Sequence, residues 1–132
     1  MLAQLNSMRK EAGVKPLLFC ANLNASSQKY TEYMARENFL SHTGKNGSTL
    51  KSRTKKAKYV LSSGEPRFAL GENIAKGQIN VNEVMNSWRN SKGHYRNMID
   101  GNFTHVGFGR AEHKNSLNAL FWVQNFGAGG MC

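Results

Sequence analysis

The apolar residues change period once along this chain, and that change limits what it can fold into more than any other feature. Up to about residue 100 they recur at helical spacing. Leu2, Leu5 and Met8 mark a first helix over Leu2 to Glu11, stopped by Gly13 and Pro16. Leu23, Ser27, Tyr30, Met34 and Phe39 approximate one face of a second, from about Asn22 to Asn38, with Asn22 or Asn24 as its cap. Val84, Met85 and Trp88 place a third over Asn82 to Asn90, and after the break at Ser91-Lys92-Gly93 a short fourth runs from His94 to Ile99. From His105 the period becomes two. His105 to Ala111 alternates, and Leu117 to Phe126 is a β-favouring run with a polar, hairpin-like break at His113-Lys114-Asn115-Ser116. Helices first and an antiparallel hairpin last define an α+β chain and argue against a βαβ nucleotide-binding fold. At 132 residues, with no internal repeat, it reads as a single domain over 1–132.

Charge narrows the function classes. The chain carries 18 Lys and Arg against 8 Asp and Glu, a formal net charge of +10. A basic domain of this size invites a nucleic-acid reading. Six of the cations, however, fall in one stretch: Lys45, Lys51, Arg53, Lys55, Lys56 and Lys58. The stretch is rich in Gly, Ser and Thr and lacks apolar periodicity, so it reads as a long solvated loop forming a basic surface. With neither a recognition helix nor an aromatic stacking platform beside it, nucleic acid is a poor partner. No apolar run approaches the roughly 18–20 residues of a membrane span, and the start lacks the pattern of a leader, so export or membrane association requires a segment outside this sequence.

Four residues at the ends of predicted elements have the chemistry of a site. His42 follows the second helix, Glu72 sits at a Gly-rich turn, Ser91 follows the third helix and His94 opens the fourth. Element ends are where polar groups converge without disturbing a core. Each also has a structural reading: Glu72 as a helix-start acid, Ser91 as a cap, either imidazole as an ordinary hydrogen-bonded side chain.

Read as strings, these segments carry a resemblance. Ser41-His42, Gly71-Glu72-Asn73-Ile74-Ala75, the block from Trp88 to Ile99, Phe103 to Gly109 and Trp122 to Gly127 stand in order, with Gly13 to Leu17 similar to a first loop. Together they resemble the CAP superfamily (cysteine-rich secretory proteins, antigen 5 and pathogenesis-related proteins) in its bacterial, SCP-type form. The resemblance implies an α-β-α sandwich with a central antiparallel sheet and a cleft holding a tetrad, which maps by motif onto His42, Glu72, Ser91 and His94. Many eukaryotic members carry Glu where this chain has Ser91, so one carboxylate is missing. It also implies a secreted or cell-surface bacterial protein. The wealth of Lys and Asn fits an AT-rich genome and hints at a spirochaete surface lipoprotein.

Such a tetrad permits several chemistries. His42 and His94, with Glu72 as a further candidate, suit zinc or another divalent cation held reversibly, none being obligatory. The leading expectation is a ligand-binding module for a lipid, an anionic surface or a host partner. The alternative is a metal-assisted hydrolase or protease with Glu72 as base. No activated nucleophile stands out, since Ser91 and His94 are three residues apart and lack a strained elbow.

Nearby residues have structural assignments. Asn73 is expected to tie the Gly71–Ala75 turn to the backbone, Trp88 and Trp122 to anchor the core, and Gly107 and Gly109 to admit a helix close to a strand. His105 is expected at the cleft rim and His113 in solvent. Cys20 and Cys132 bridge if the C-terminus returns to the corner between the first two helices; otherwise Cys20 is a buried thiol.

Overall fold

The computed structural model describes residues 1–114 and 119–132. The elements run α1 (Leu2–Glu11), β1 (Leu18–Phe19), α2 (Ala21–Glu37), α3 (Leu50–Lys56), β2 (Ala69–Lys76), α4 (Val81–Arg89), α5 (Lys92–Met98), β3 (His105–Glu112) and β4 (Leu120–Ala128). The four strands lie in the order β1-β3-β4-β2, antiparallel except where β1 pairs parallel to β3. The sheet is therefore mixed rather than wholly antiparallel, because two-residue β1 is delivered by the loop after α1 instead of by a hairpin. The β3–β4 pairing is the expected hairpin. Its expected turn at 113–116 falls partly outside the described residues.

Alternation along the strands sorts side chains into two layers. Ile74, Phe121 and Val123 pack against Tyr30, Met34 and Ala35 of α2. On the other face Ala75, Val106, Trp122 and Phe126 meet Leu5 and Met8 of α1, Val84, Met85 and Trp88 of α4 and Met98 of α5. Both tryptophans are buried anchors as expected, each indole N–H donating to a carbonyl: Trp88 to Ile74 at 3.1 Å and Trp122 to Gln78 at 2.9 Å. Gly107 and Gly109 also do what the sequence suggests. A Cβ on Gly107 would run into the Leu23–Asn24 backbone of α2, and one on Gly109 would meet the Ser27 carbonyl at 2.5 Å.

Beyond two-residue β1 the free edge of β3 is answered by α2 itself. Asn24 Oδ1 accepts from the Phe108 N–H and Gln28 Oε1 from the Arg110 N–H, both at 2.9 Å, while the Gln28 amide donates to the Arg110 carbonyl. Side chains thus occupy the edge groups that would otherwise template another strand. Asn24 serves the sheet and Asn22 the C-terminus, so neither caps α2; Cys20 is the N-cap, without a side-chain hydrogen bond.

The basic stretch departs from its expected loop. Residues 50–56 form α3, because Thr49 and Ser52 make a reciprocal capping box at its start. Only Thr54 of this helix is buried, which is why no apolar period announces it. Lys58, at φ 72°, then turns the chain so that Tyr59 enters the core. Cys20 and Cys132 form a disulfide, their Cα atoms 5.1 Å apart.

Candidate functional site

The four candidate residues form two hydrogen-bonded pairs, His42 with Glu72 and Ser91 with His94. Residues 71–75 are not a turn but the middle of β2, an edge strand whose far side has no further strand among the described residues. Alternation sends Glu72 toward the α2–α3 layer and Asn73 toward α5. His42, in the loop after α2, approaches from the first layer, and His94, in the first turn of α5, from the second.

Glu72 is the hub. Its Oε1 lies 2.8 Å from His42 Nδ1 and its Oε2 accepts from Arg53 at 2.8 Å. The carboxylate side chain is 2% exposed and that of Arg53 9%, while His42 stays 58% exposed. Arg53 also donates to the carbonyls of His42 (2.9 Å) and Ser48 (3.3 Å), and its guanidinium lies 3.5 Å from the Tyr30 ring centroid. Tyr30 in turn donates its hydroxyl to the Ser41 carbonyl at 2.5 Å. One arginine thus fixes the loop that carries His42, the acid that orients it and the ring beneath both. Burial pushes the Tyr30 hydroxyl above its usual pKa, with the Arg53 charge pulling the other way.

Arg53 therefore leaves the expected basic surface, whereas Lys45, Lys51, Lys55, Lys56 and Lys58 are exposed. The sequence contained one signal for it: Arg53 is the sole arginine among six cations, and its planar fork suits a buried carboxylate better than a lysine does.

His94 is held differently. Its Nδ1 lies 2.7 Å from Ser91 Oγ, so Ser91, although at the N-cap position of α5, spends its hydroxyl on the imidazole rather than on the helix. The His94 carbonyl accepts from Asn73 Nδ2 at 3.0 Å; Asn73 also donates to Gln124 at 3.1 Å and accepts from Asn97 at 2.9 Å. This buried amide network fixes α5 against β2. Asn73 thus ties two elements together rather than closing a turn, and Asn97 and Gln124 were missed because a single amide in a sequence gives no hint of its partner. Burial first, and then the charge of His42, holds His94 below its ordinary pKa of 6.5, so the ring is neutral at pH 7.

Because a carboxylate only accepts, a neutral His42 donates Nδ1–H to Glu72 and keeps the lone pair on Nε2. Glu72 is poorly placed as a metal ligand or as a free base, since its side chain is almost wholly removed from solvent and each oxygen already holds a partner. Among the described residues no group of three or more His, Cys, Asp and Glu side chains is placed to hold a metal ion.

His105 and His113 lie apart from the tetrad. His105 Nδ1 contacts the Tyr59 hydroxyl at 2.9 Å beside the disulfide corner, and burial lowers its pKa against the pull of Glu65. His113 is half-buried against the Ala35 carbonyl at 2.7 Å, not in solvent. A cavity of about 370 Å³ separates α1 from α4, but Gln4, Glu11, Asn86 and Arg89 line it with Met8 and Met85, so it is not an apolar groove.

The fold agrees with the comparisons. Residues 2–126 match the family model of the CAP, or cysteine-rich secretory protein, family, and the chain belongs to that family. It is 34% identical over 122 residues to YkwD of Bacillus subtilis, covering 92% of this chain and 43% of the relative. It is 30% identical over 98 residues to the membrane protein YlbC of the same organism, covering 74% and 24%. The chain thus spans less than half the length of either relative. Among solved structures, an outer surface protein of Borrelia burgdorferi superposes with a TM-score of 0.78 at 24% identity, covering 96% of this chain and 87% of that one. An extracellular SCP-domain protein of Bacillus anthracis gives 0.76 at 25%, covering 95% and 38%. No helix among the described residues is long and apolar enough to cross a membrane.

Proposed function

We propose that this CAP domain is a binding module of an exported or surface-displayed bacterial protein, and that its cleft engages a ligand through His42 and His94 without turning it over. The engagement of both Glu72 oxygens by His42 and Arg53 carries this reading. A general base must be free to take a proton within hydrogen-bond reach of the substrate. Here the carboxylate orients one ring and is neutralised by a guanidinium. Two imidazoles from opposite layers remain to meet a ligand, and Ser91 sets the second.

A divalent cation such as zinc suits the cleft as an optional companion, held by His42 and His94; it would supply positive charge to an anionic ligand group. Export is supported by the extracellular and outer-surface proteins that share the fold. The lysines at 45, 51, 55, 56 and 58 then face whatever anionic surface, lipid or host protein the domain meets. Hydrolysis remains the second reading, favoured by the Ser91–His94 contact at 2.7 Å, a nucleophile and base within reach.

Assay against peptide and ester libraries with and without zinc separates the two. The binding reading expects no turnover above that of the Ser91→Ala and Glu72→Gln variants. Turnover abolished by Ser91→Ala contradicts it.

A further inference from the structure

The disulfide corner carries a feature that the cleft does not use. Six large apolar side chains are markedly exposed among the described residues, and four belong to this corner: Leu18 (66%), Phe19 (53%), Leu61 (57%) and Met131 (51%). Phe19 precedes Cys20 and Met131 precedes Cys132, so each adjoins one half of a bridge whose Cα atoms are 5.1 Å apart. Leu61 pairs with Gly130, and Asn22 Nδ2 donates to both the Met131 and Lys58 carbonyls, at 2.8 and 3.3 Å. The platform beneath is rigid. Tyr59 is fully buried and packs where side chains on Gly127 and Gly130 would stand. Scattered exposed apolar residues need no explanation, but a group held on a braced corner marks a contact surface.

The surrounding charge selects the partner. Lys15, Lys55, Lys56, Lys58 and Arg67 are all exposed on the segments that adjoin this corner, against one acid, Glu65. A second copy of a chain with net charge +10 would bring like charges face to face. Exposed apolar side chains with exposed cations on the adjoining segments instead match the interface of an anionic bilayer. There the apolar tips enter the headgroup boundary and the ammonium groups remain with the phosphates. We propose that the corner closed by the Cys20–Cys132 disulfide is a docking surface for anionic phospholipid membranes. The proposal does not rest on the imidazole cleft.

Cosedimentation with vesicles of phosphatidylcholine containing 30% phosphatidylserine tests it, with pure phosphatidylcholine vesicles as the reference. Wild type is expected to bind the anionic vesicles at least tenfold more tightly and to release as salt is raised. Phe19→Ser/Leu61→Ser and Lys55→Gln/Lys58→Gln should each lose roughly tenfold or more, with near-ultraviolet dichroism unchanged. Leu40→Ser/Ile79→Ser, which removes exposed apolar groups elsewhere, should bind as wild type does, as should His42→Ala/His94→Ala. Absence of wild-type binding overturns the proposal. So does undiminished binding by folded Phe19→Ser/Leu61→Ser, or a wild-type dimer that this variant dissociates.

Discussion

Arg53 Nη2 and Glu72 Oε2 lie 2.8 Å apart with both side chains almost wholly removed from water, and every polar feature around His42 is arranged about that pair. Removing one partner of a buried ion pair strands the other charge, which typically costs about 3–5 kcal/mol. Arg53→Ala is therefore expected to destabilise the fold by about 3 kcal/mol in urea unfolding, His42 remaining as a partial partner. Arg53→Met/Glu72→Gln should cost clearly less than the sum of the two single changes. Additive losses would show that the pair is not coupled.

Asn73 is fully buried and uses its amide on His94, Gln124 and Asn97. Asn73→Ala leaves several buried groups unpaired, at about 1–3 kcal/mol. It should also loosen α5 and raise hydrogen exchange at the first amides of that helix. Exchange that rises equally in every element would mean that Asn73 supports global stability without holding His94 in place.

Gly109 faces the α2 backbone with no room for a methyl group. Overpacking of this kind costs about 1–3 kcal/mol, so Gly109→Ala should lower the urea midpoint appreciably. Gly93→Ala, where a Cβ meets open space, should not. Equal effects would remove close approach as the reason for the glycine.

The Cys20–Cys132 bridge joins residues 112 positions apart. A loop of this size corresponds to about 4–5 kcal/mol of unfolded-state entropy in the simple chain treatment. Cys20→Ser/Cys132→Ser should stay folded by far-ultraviolet dichroism yet unfold at markedly lower urea. An unchanged midpoint would show that the bridge contributes nothing to stability.

His105 and His94 are both held below an unfolded value of 6.5, mainly by burial, so the unfolded chain binds the extra protons first as pH falls. Their contribution is complete above pH 6.5 and declines below it. Tyr59 and Glu65 face His105, and the Glu65 charge opposes the shift. Urea midpoints measured at about pH 7.5 and about pH 5 should differ less in His105→Gln than in wild type; an identical difference would contradict this.

Much of the architecture was legible in the sequence because it is written in period. The core helices, the β3–β4 hairpin and the two tryptophan anchors follow from spacing, and the motif blocks picked out residues that the structure pairs, His42 with Glu72 and Ser91 with His94. What escaped depends on partners distant in the chain. Helix α3 is held by a capping box and one buried threonine, so it has no apolar signature. Residues 71–75 looked like a turn because Gly71 leads them, yet Gly71 lies in β2, where a side chain would strike Phe103. Arg9, for which the sequence offers no reading of its own, is fully buried on α1 and donates to the carbonyls of Lys15, Met98, Asp100 and Phe103. No local rule foretells that kind of convergence. Arg53 is the same lesson inside the site, a cation whose neighbours in sequence are solvated while it is not.

The proposed function requires that His42 and His94 act as one binding unit. Long-range proton–nitrogen spectra of the four imidazoles during a zinc titration test it most directly. Nε2 of His42 and of His94 are expected to shift together with one shared affinity, either alanine substitution to abolish the response of the other ring, and His105 and His113 to stay still. Independent responses of His42 and His94, or a response confined to His105 or His113, would contradict it.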